Sequence, residues 1–186
     1  MTYGSVVSDS SFYLCFLSDI KRPNVLLSII TSPFFDFVIG PIILREVGKS
    51  DSFNRIATEL KADIRVFDYF AYGEIVRPFF SIEEVEVGEH EVVVVSYILH
   101  SRGLLYKSIL DDDQPRRFLE RELPAILPNL TGTIGFVELC TVKHKLFSKS
   151  ECIELLEQIR ASRFRISNRI VDEAIERIGA ACPDNC

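Results

Sequence analysis

Between Gly88 and Arg117 the chain reads GEHEVVVVSYILHSRGLLYKSILDDDQPRR, and this stretch restricts the fold more than any other. An apolar segment of helix length opens on Glu89 and Glu91 and stops at Gly103. The short apolar segment LLYKSIL then delivers the run Asp111, Asp112 and Asp113. Four consecutive valines, Val92 to Val95, favour a strand by propensity. The helix-start character of Gly88 and Glu89, the stop at Gly103 and the length between them favour a helix, and the ends are taken to prevail. Leu104 to Leu110 is then a strand and Gln114 to Arg121 a helix whose positive end favours the preceding aspartates. Both acidic groups therefore fall at one edge of a sheet, where open α/β sheets bind their ligands. Carboxylates gathered there need raised pKa values or a hard cation, so a divalent-metal site is the working expectation.

The rest of the chain supplies further strand and helix pairs in alternation. Ser5 to Ser8 is a short Val-centred strand running into Asp9, Ser10 and Ser11, residues that suit a helix start. Asp9 has two readings: a helix cap, or an acid standing at the end of a central strand beside the Asp111 group. After KRPN, Val25 to Ile30 continues as helix and TSP ends it; Phe34 to Ile39 is a second strand. Gly40 and Pro41 then open a helix that carries Glu46. Residues 49–62 form an amphipathic helix with Phe53, Ile56 and Leu60 on one face, Ile64 to Phe67 an edge strand, and a short helix lies near Ile82. A short strand in ILPNL precedes Thr131, Gly132 and Thr133 and a helix through Val142; helices at Ser150 to Arg160 and Ser167 to Ile178 complete the chain. Strands alternating with helices predict a parallel sheet with helices on both faces.

Composition restricts the function classes. In 186 residues, 47% hydrophobic, there is enough apolar surface for one core. A net charge of -6 argues against broad binding to a phosphate backbone, but permits a local basic rim around an acidic pocket. No apolar run reaches transmembrane length, and MTYGSVVSDSS lacks a signal-peptide pattern, so a soluble, cytoplasmic protein is expected. Of five cysteines, Cys15, Cys140 and Cys152 sit in apolar segments and read as small buried hydrophobes. Cys182 and Cys186 have the spacing for a disulfide or a metal but make no closed site by themselves. His90, His100 and His144 lie in no nucleophile-elbow context and read as surface or half-buried residues.

Taken together, VVSDSS, GPIILREV, GEHEVVVVSYILHSRG, ILDDDQPRR and LTGTIGFVEL, in that order and in those contexts, resemble the PIN-domain nucleases. The C-terminal part, LLEQIRASRFRISNRIVDEAIERIG, is similar to a prokaryotic branch of that family related to the VapC-type toxins. The resemblance implies a three-layer α/β sandwich over residues 1–145 with a helical extension, 146–186, packed on it. It implies a ribonuclease site in which Asp9, Glu46, Glu91 and Asp111 are the catalytic acids. Mg²⁺ or Mn²⁺ would be held by these with Glu89 and Asp112, although Glu89 also reads as a helix cap. One ion would activate a water for attack on phosphorus and a second would stabilise the leaving oxygen, giving a 5′-phosphate and a 3′-hydroxyl. Ser10, Ser11 and Thr133 match positions that support the metal shell or the phosphate, and Arg116 and Arg117 read equally as phosphate contacts or as solvated helix surface. An RNA substrate, an antitoxin partner and a homodimer follow from the resemblance alone. The alternatives are a catalytically weak PIN-like binding module, another Mg²⁺ enzyme of the α/β type, and a structural protein whose acids are helix caps.

Overall fold

Val6 and Val7, β-branched and set between serines, form β1 (Ser5–Ser8), all four residues of which are buried. The computed structural model describes residues 3–55, 64–68 and 88–181. On one side of β1 runs β2 (Asp36–Ile39), followed outward by β3 (Ile64–Val66). On the other side run β4 (Leu105–Ile109) and β5 (Leu130–Thr131). All pairs are parallel and the order is β3-β2-β1-β4-β5. The chain therefore builds outward from β1 to β3, then crosses back to build the other half from β4. The expected edge strand at Ile64 is present, and Arg65 gives it a charge paired with Asp36 at 3.0 Å.

Helices cover both faces of this sheet. In parallel register Phe37 lies beside Val6, while Val7 lies beside both Val38 and Ser108. Phe37 packs between Phe12 and Phe136, each ring centroid 6.0 Å away, which places α1 (Ser10–Leu14) and α6 (Thr133–Val142) on its face. On the opposite face Ser108 meets Ser96 of α4 (Gly88–Ser101) at 2.8 Å. Val92 to Val95 are fully buried, because α4 lies between the sheet and its neighbouring helices, and a helix enclosed on all sides tolerates apolar residues all round. Its C-terminal signal behaves as the ends predicted: Gly103 takes φ +67°, and Leu104 donates to the Leu99 carbonyl, a glycine-terminated Schellman turn.

The remaining helices are α2 (Pro23–Ile30), α3 (Pro41–Val47), α5 (Asp113–Glu122), α7 (Lys149–Arg160) and α8 (Asn168–Ala181). A turn of π-helix, Cys15–Asp19, follows α1. The C-terminal pair packs on α6, with Arg177 of α8 making two 2.8 Å contacts to Glu138.

Several expectations shift. The second strand starts at Asp36, not Phe34. The strand anticipated in ILPNL is a 3₁₀ turn over Pro124–Asn129, since Pro124 and Pro128 offer no ladder N–H, and only Leu130 and Thr131 pair. His144 is buried, its ring packed among Tyr3, Phe34 and Phe35 with Nε2 2.9 Å from the Tyr106 hydroxyl. Cys15, Cys140 and Cys152 are buried, as expected. Residues 51–55 are helical with Phe53 buried; Ile56, Leu60, the helix near Ile82 and the Cys182 and Cys186 tail lie outside the described residues. No described helix is long and apolar enough to cross a membrane.

Candidate functional site

The strand order reverses between β1 and β4, which is where parallel α/β sheets open a crevice at their carboxyl ends. Asp9 leaves β1 there and Asp111 leaves β4. Both readings of Asp9 hold together. Its Oδ1 caps α1 by accepting from the Phe12 N–H at 3.2 Å, and its Oδ2 accepts from the Asp111 N–H at 3.2 Å. The carboxyl is 2% exposed; burial, and after it the charge of Asp111, push its pKa up to about 7.

Asp111 is held by the start of α6. The Thr133 N–H donates to its Oδ1 at 2.9 Å and the Thr133 hydroxyl to its Oδ2 at 2.5 Å, so the carboxylate sits on the positive end of that helix. Burial raises the Asp111 pKa, while Thr133 and then Arg116 oppose the rise. Arg116 turns inward, donating to the Leu110 carbonyl at 2.8 Å. Arg117 is surface, 3.6 Å from Asp113. Ser10 is half-buried at the start of α1, and Ser11 lines the cleft in front of Asp111.

Asp112 and Glu89 form a second acidic pair. Glu89, in the first turn of α4, has its pKa raised by burial first and then by the adjoining Asp112, with Glu46 adding to it. Glu46 reaches over from α3, so close that a Cβ on Gly88 would lie 2.9 Å from its Oε1.

Glu91 must be reassigned. Two residues further along α4 it is fully buried, and its Oε1 and Oε2 accept from the N–H groups of Ile42 and Ile43 at 2.9 and 2.8 Å. It caps α3, tying that helix to α4, and its oxygens are not presented to a ligand. Gly40 exists to admit it: a Cβ there would stand 2.1 Å from the Glu91 carboxyl carbon. A helical spacing of two residues rotates a side chain by about 200°, so only one of Glu89 and Glu91 can face the crevice.

A cleft of about 320 Å³ runs alongside these acids. Its lining carries the carboxylates of Asp19, Asp111 and Asp112, the guanidinium groups of Arg163 and Arg165, and Ser11 and Phe164. These arginines and Asp19 were not among the residues singled out in the sequence. Their signal was the alternation in RFRI between two amphipathic helices, which sends two cations one way and two apolar side chains the other.

The oxygen donors suit a hard divalent ion, which would relieve the mutual repulsion that burial magnifies. Among the described residues no three acidic, histidine or cysteine side chains stand close enough to enclose one ion. The acids are grouped instead as Asp9 with Asp111 and Glu89 with Asp112 and Glu46. No family model, no curated protein and no solved structure matches the chain.

Proposed function

We propose that this chain is a metal-dependent ribonuclease acting in the cytoplasm, as its resemblance to the PIN-domain nucleases implies. The observation that supports it most is the Asp9 and Asp111 pair, buried at the sheet's switch point with both pKa values raised and with Glu89 and Asp112 beside it. Buried carboxylates crowded together cost the fold stability, and strongly shifted acids of this kind cluster at functional sites. Asp9, Asp111, Asp112, Glu89 and Glu46 are the residues that would hold Mg²⁺ or Mn²⁺. When bound, such an ion supplies a water of lowered pKa and neutralises charge on a phosphodiester.

The protein's own groups have separate tasks in this reading. Thr133 and the α6 N-terminus fix the Asp111 carboxylate, and Arg116 adds positive charge behind it. Asp9, with a pKa near neutrality, holds or releases a proton at physiological pH, so its charge follows what occupies the crevice. A toxin role, an antitoxin partner and a homodimer belong to this reading through the resemblance only.

A PIN-like binding module without catalysis is the second reading. The absence of any three converging ligands among the described residues favours it. Thermal unfolding of the wild type and Asp111→Asn in EDTA, Mg²⁺ and Mn²⁺, with cleavage of a mixed RNA pool on the same samples, separates the two. Metal-dependent stabilisation and cleavage, both lost in Asp111→Asn, are expected. No stabilisation by either ion and no cleavage would overturn the nuclease reading in favour of the binding module.

A further inference from the structure

Residues 161–167 connect α7 to α8 and bring the C-terminal helices to the acidic cleft. The connection is braced at several points. Arg160 bonds Asp172 across it at 2.6 Å, the Ser162 hydroxyl donates to the Ile159 carbonyl at 2.7 Å, and the Phe164 N–H donates to that hydroxyl at 3.0 Å. Phe164 and Ile166 turn inward against the core, so Arg163 and Arg165 are left exposed on the other side. The backbone that carries these arginines is thus held in position before any ligand arrives.

Some arginines of this chain are paired and others are not. Arg22, Arg65, Arg160, Arg169 and Arg177 all close ion pairs within 4.0 Å. Among the described residues neither Arg163 nor Arg165 does, although the chain carries 27 acidic residues against 21 basic ones. Arg163 is near enough to Asp19 to draw its pKa down against burial, yet it makes no direct bridge to it. Both guanidinium groups thus keep their forked donors available in a cleft that Asp111 and Asp112 also line.

Opposed charges lining one cleft select the ligand. A simple anion would be repelled by the aspartates, and a simple cation has no use for the arginines. A phosphodiester chain, anionic and joined to the acids through a bound cation, satisfies both. The cleft's 320 Å³ lies at the low end for ligand sites, a scale that suits one unpaired nucleotide better than a duplex. With a net charge of -6 the surface offers no long phosphate track, so the grip is local.

We infer that Arg163 and Arg165 are the phosphate-binding groups of this cleft, taking phosphates of single-stranded RNA next to the bond presented to Asp9 and Asp111. The identity of that bond rests on the nuclease reading; the grip itself does not.

The test measures binding of a 5′-labelled decauridylate by fluorescence anisotropy in Ca²⁺ over a salt series, and its cleavage in Mn²⁺. The proteins are the wild type, Arg163→Ala/Arg165→Ala and Arg163→Lys/Arg165→Lys. Single strands contribute about 0.7 to the slope of log K against log salt for each phosphate contact, so loss of two should flatten the slope by about 1.4. The dissociation constant should rise roughly tenfold or more at low salt, the melting temperature should hold, and the lysine variant should keep the slope. An unchanged slope and affinity in the alanine variant would overturn the inference while wild-type cleavage left the nuclease reading standing. Wild-type binding without cleavage, lost in the alanine variant, would sustain the grip and reject the nuclease. A wild type that neither binds nor cleaves, or that binds a duplex of the same length as tightly, overturns the single-strand grip.

Discussion

The Asp9 carboxylate accepts the backbone N–H of Asp111 at 3.2 Å, so the two acids that leave neighbouring central strands are tied by a bond from one side chain to the other's main chain. That bond fixes their separation whatever their charge. It does not remove the cost of ionising both, because burial and the neighbouring charge hold the Asp9 pKa at about 7 against an ordinary value of 3.8. A raised carboxyl pKa means that the folded state binds more protons than the unfolded chain between those values. Stability from this group is therefore greatest in acid and falls as pH rises from about 4 to 7, by up to about 4 kcal/mol.

In EDTA, the wild type should lose stability to urea across that window, and Asp9→Asn should show a flatter profile. The amide cannot accept from both N–H groups, so the variant should start lower in acid by about 1 kcal/mol and overtake the wild type near pH 5, well inside the window. Parallel profiles for the two proteins would show that Asp9 does not carry the shift.

Glu89 and Glu91 should respond in opposite ways. Glu91→Ala strands the buried N–H groups of Ile42 and Ile43 and empties a packed site, so it should cost about 3 to 5 kcal/mol in urea unfolding. Glu89→Gln removes a charge crowded by Asp112 and Glu46 and should be neutral or slightly stabilising in EDTA, while abolishing stabilisation by Mn²⁺. A stable Glu91→Ala protein that has lost its response to metal would restore Glu91 to the site.

The order of elements was legible in the sequence because each relied on a local signal, such as Pro41 at the first position of α3 and Gly103 past the end of α4. So were Asp9 and Asp111, which strand ends deliver to one crevice. What could not be read was rotation. Glu89 and Glu91 share one helical turn, and which of them caps α3 depends on a contact with Gly40, which is 51 positions from Glu91 in sequence and adjacent to it only in space. Arg163 and Arg165 were likewise hidden, because a loop between two C-terminal helices meets the β1 and β4 ends only after both helices have packed on α6.

Gly40→Ala should be among the most damaging single-methyl changes in the chain. The added carbon has no room beside the Glu91 carboxyl, and the cost should reach about 1 to 3 kcal/mol or more. Combined with Glu91→Ala the two losses should fall well short of additive, since the second change removes the obstacle to the first. Additive losses in a urea double-mutant cycle would place the strain elsewhere.

Thr133 offers the finest adjustment of the site. Its hydroxyl and N–H both favour the ionised form of Asp111, opposing the effect of burial. Thr133→Val keeps the shape and the N–H bond but loses the hydroxyl, so the Asp111 pKa should rise further, at a stability cost of about 1 kcal/mol. Metal binding requires the carboxylate, so the rise in melting temperature given by Mn²⁺ should be cut most at the acid end of a pH series and recover as pH rises; Thr133→Ser should restore the wild-type profile. A loss of metal response that is the same at every pH would mean that Thr133 acts on the site by packing and not through the charge of Asp111.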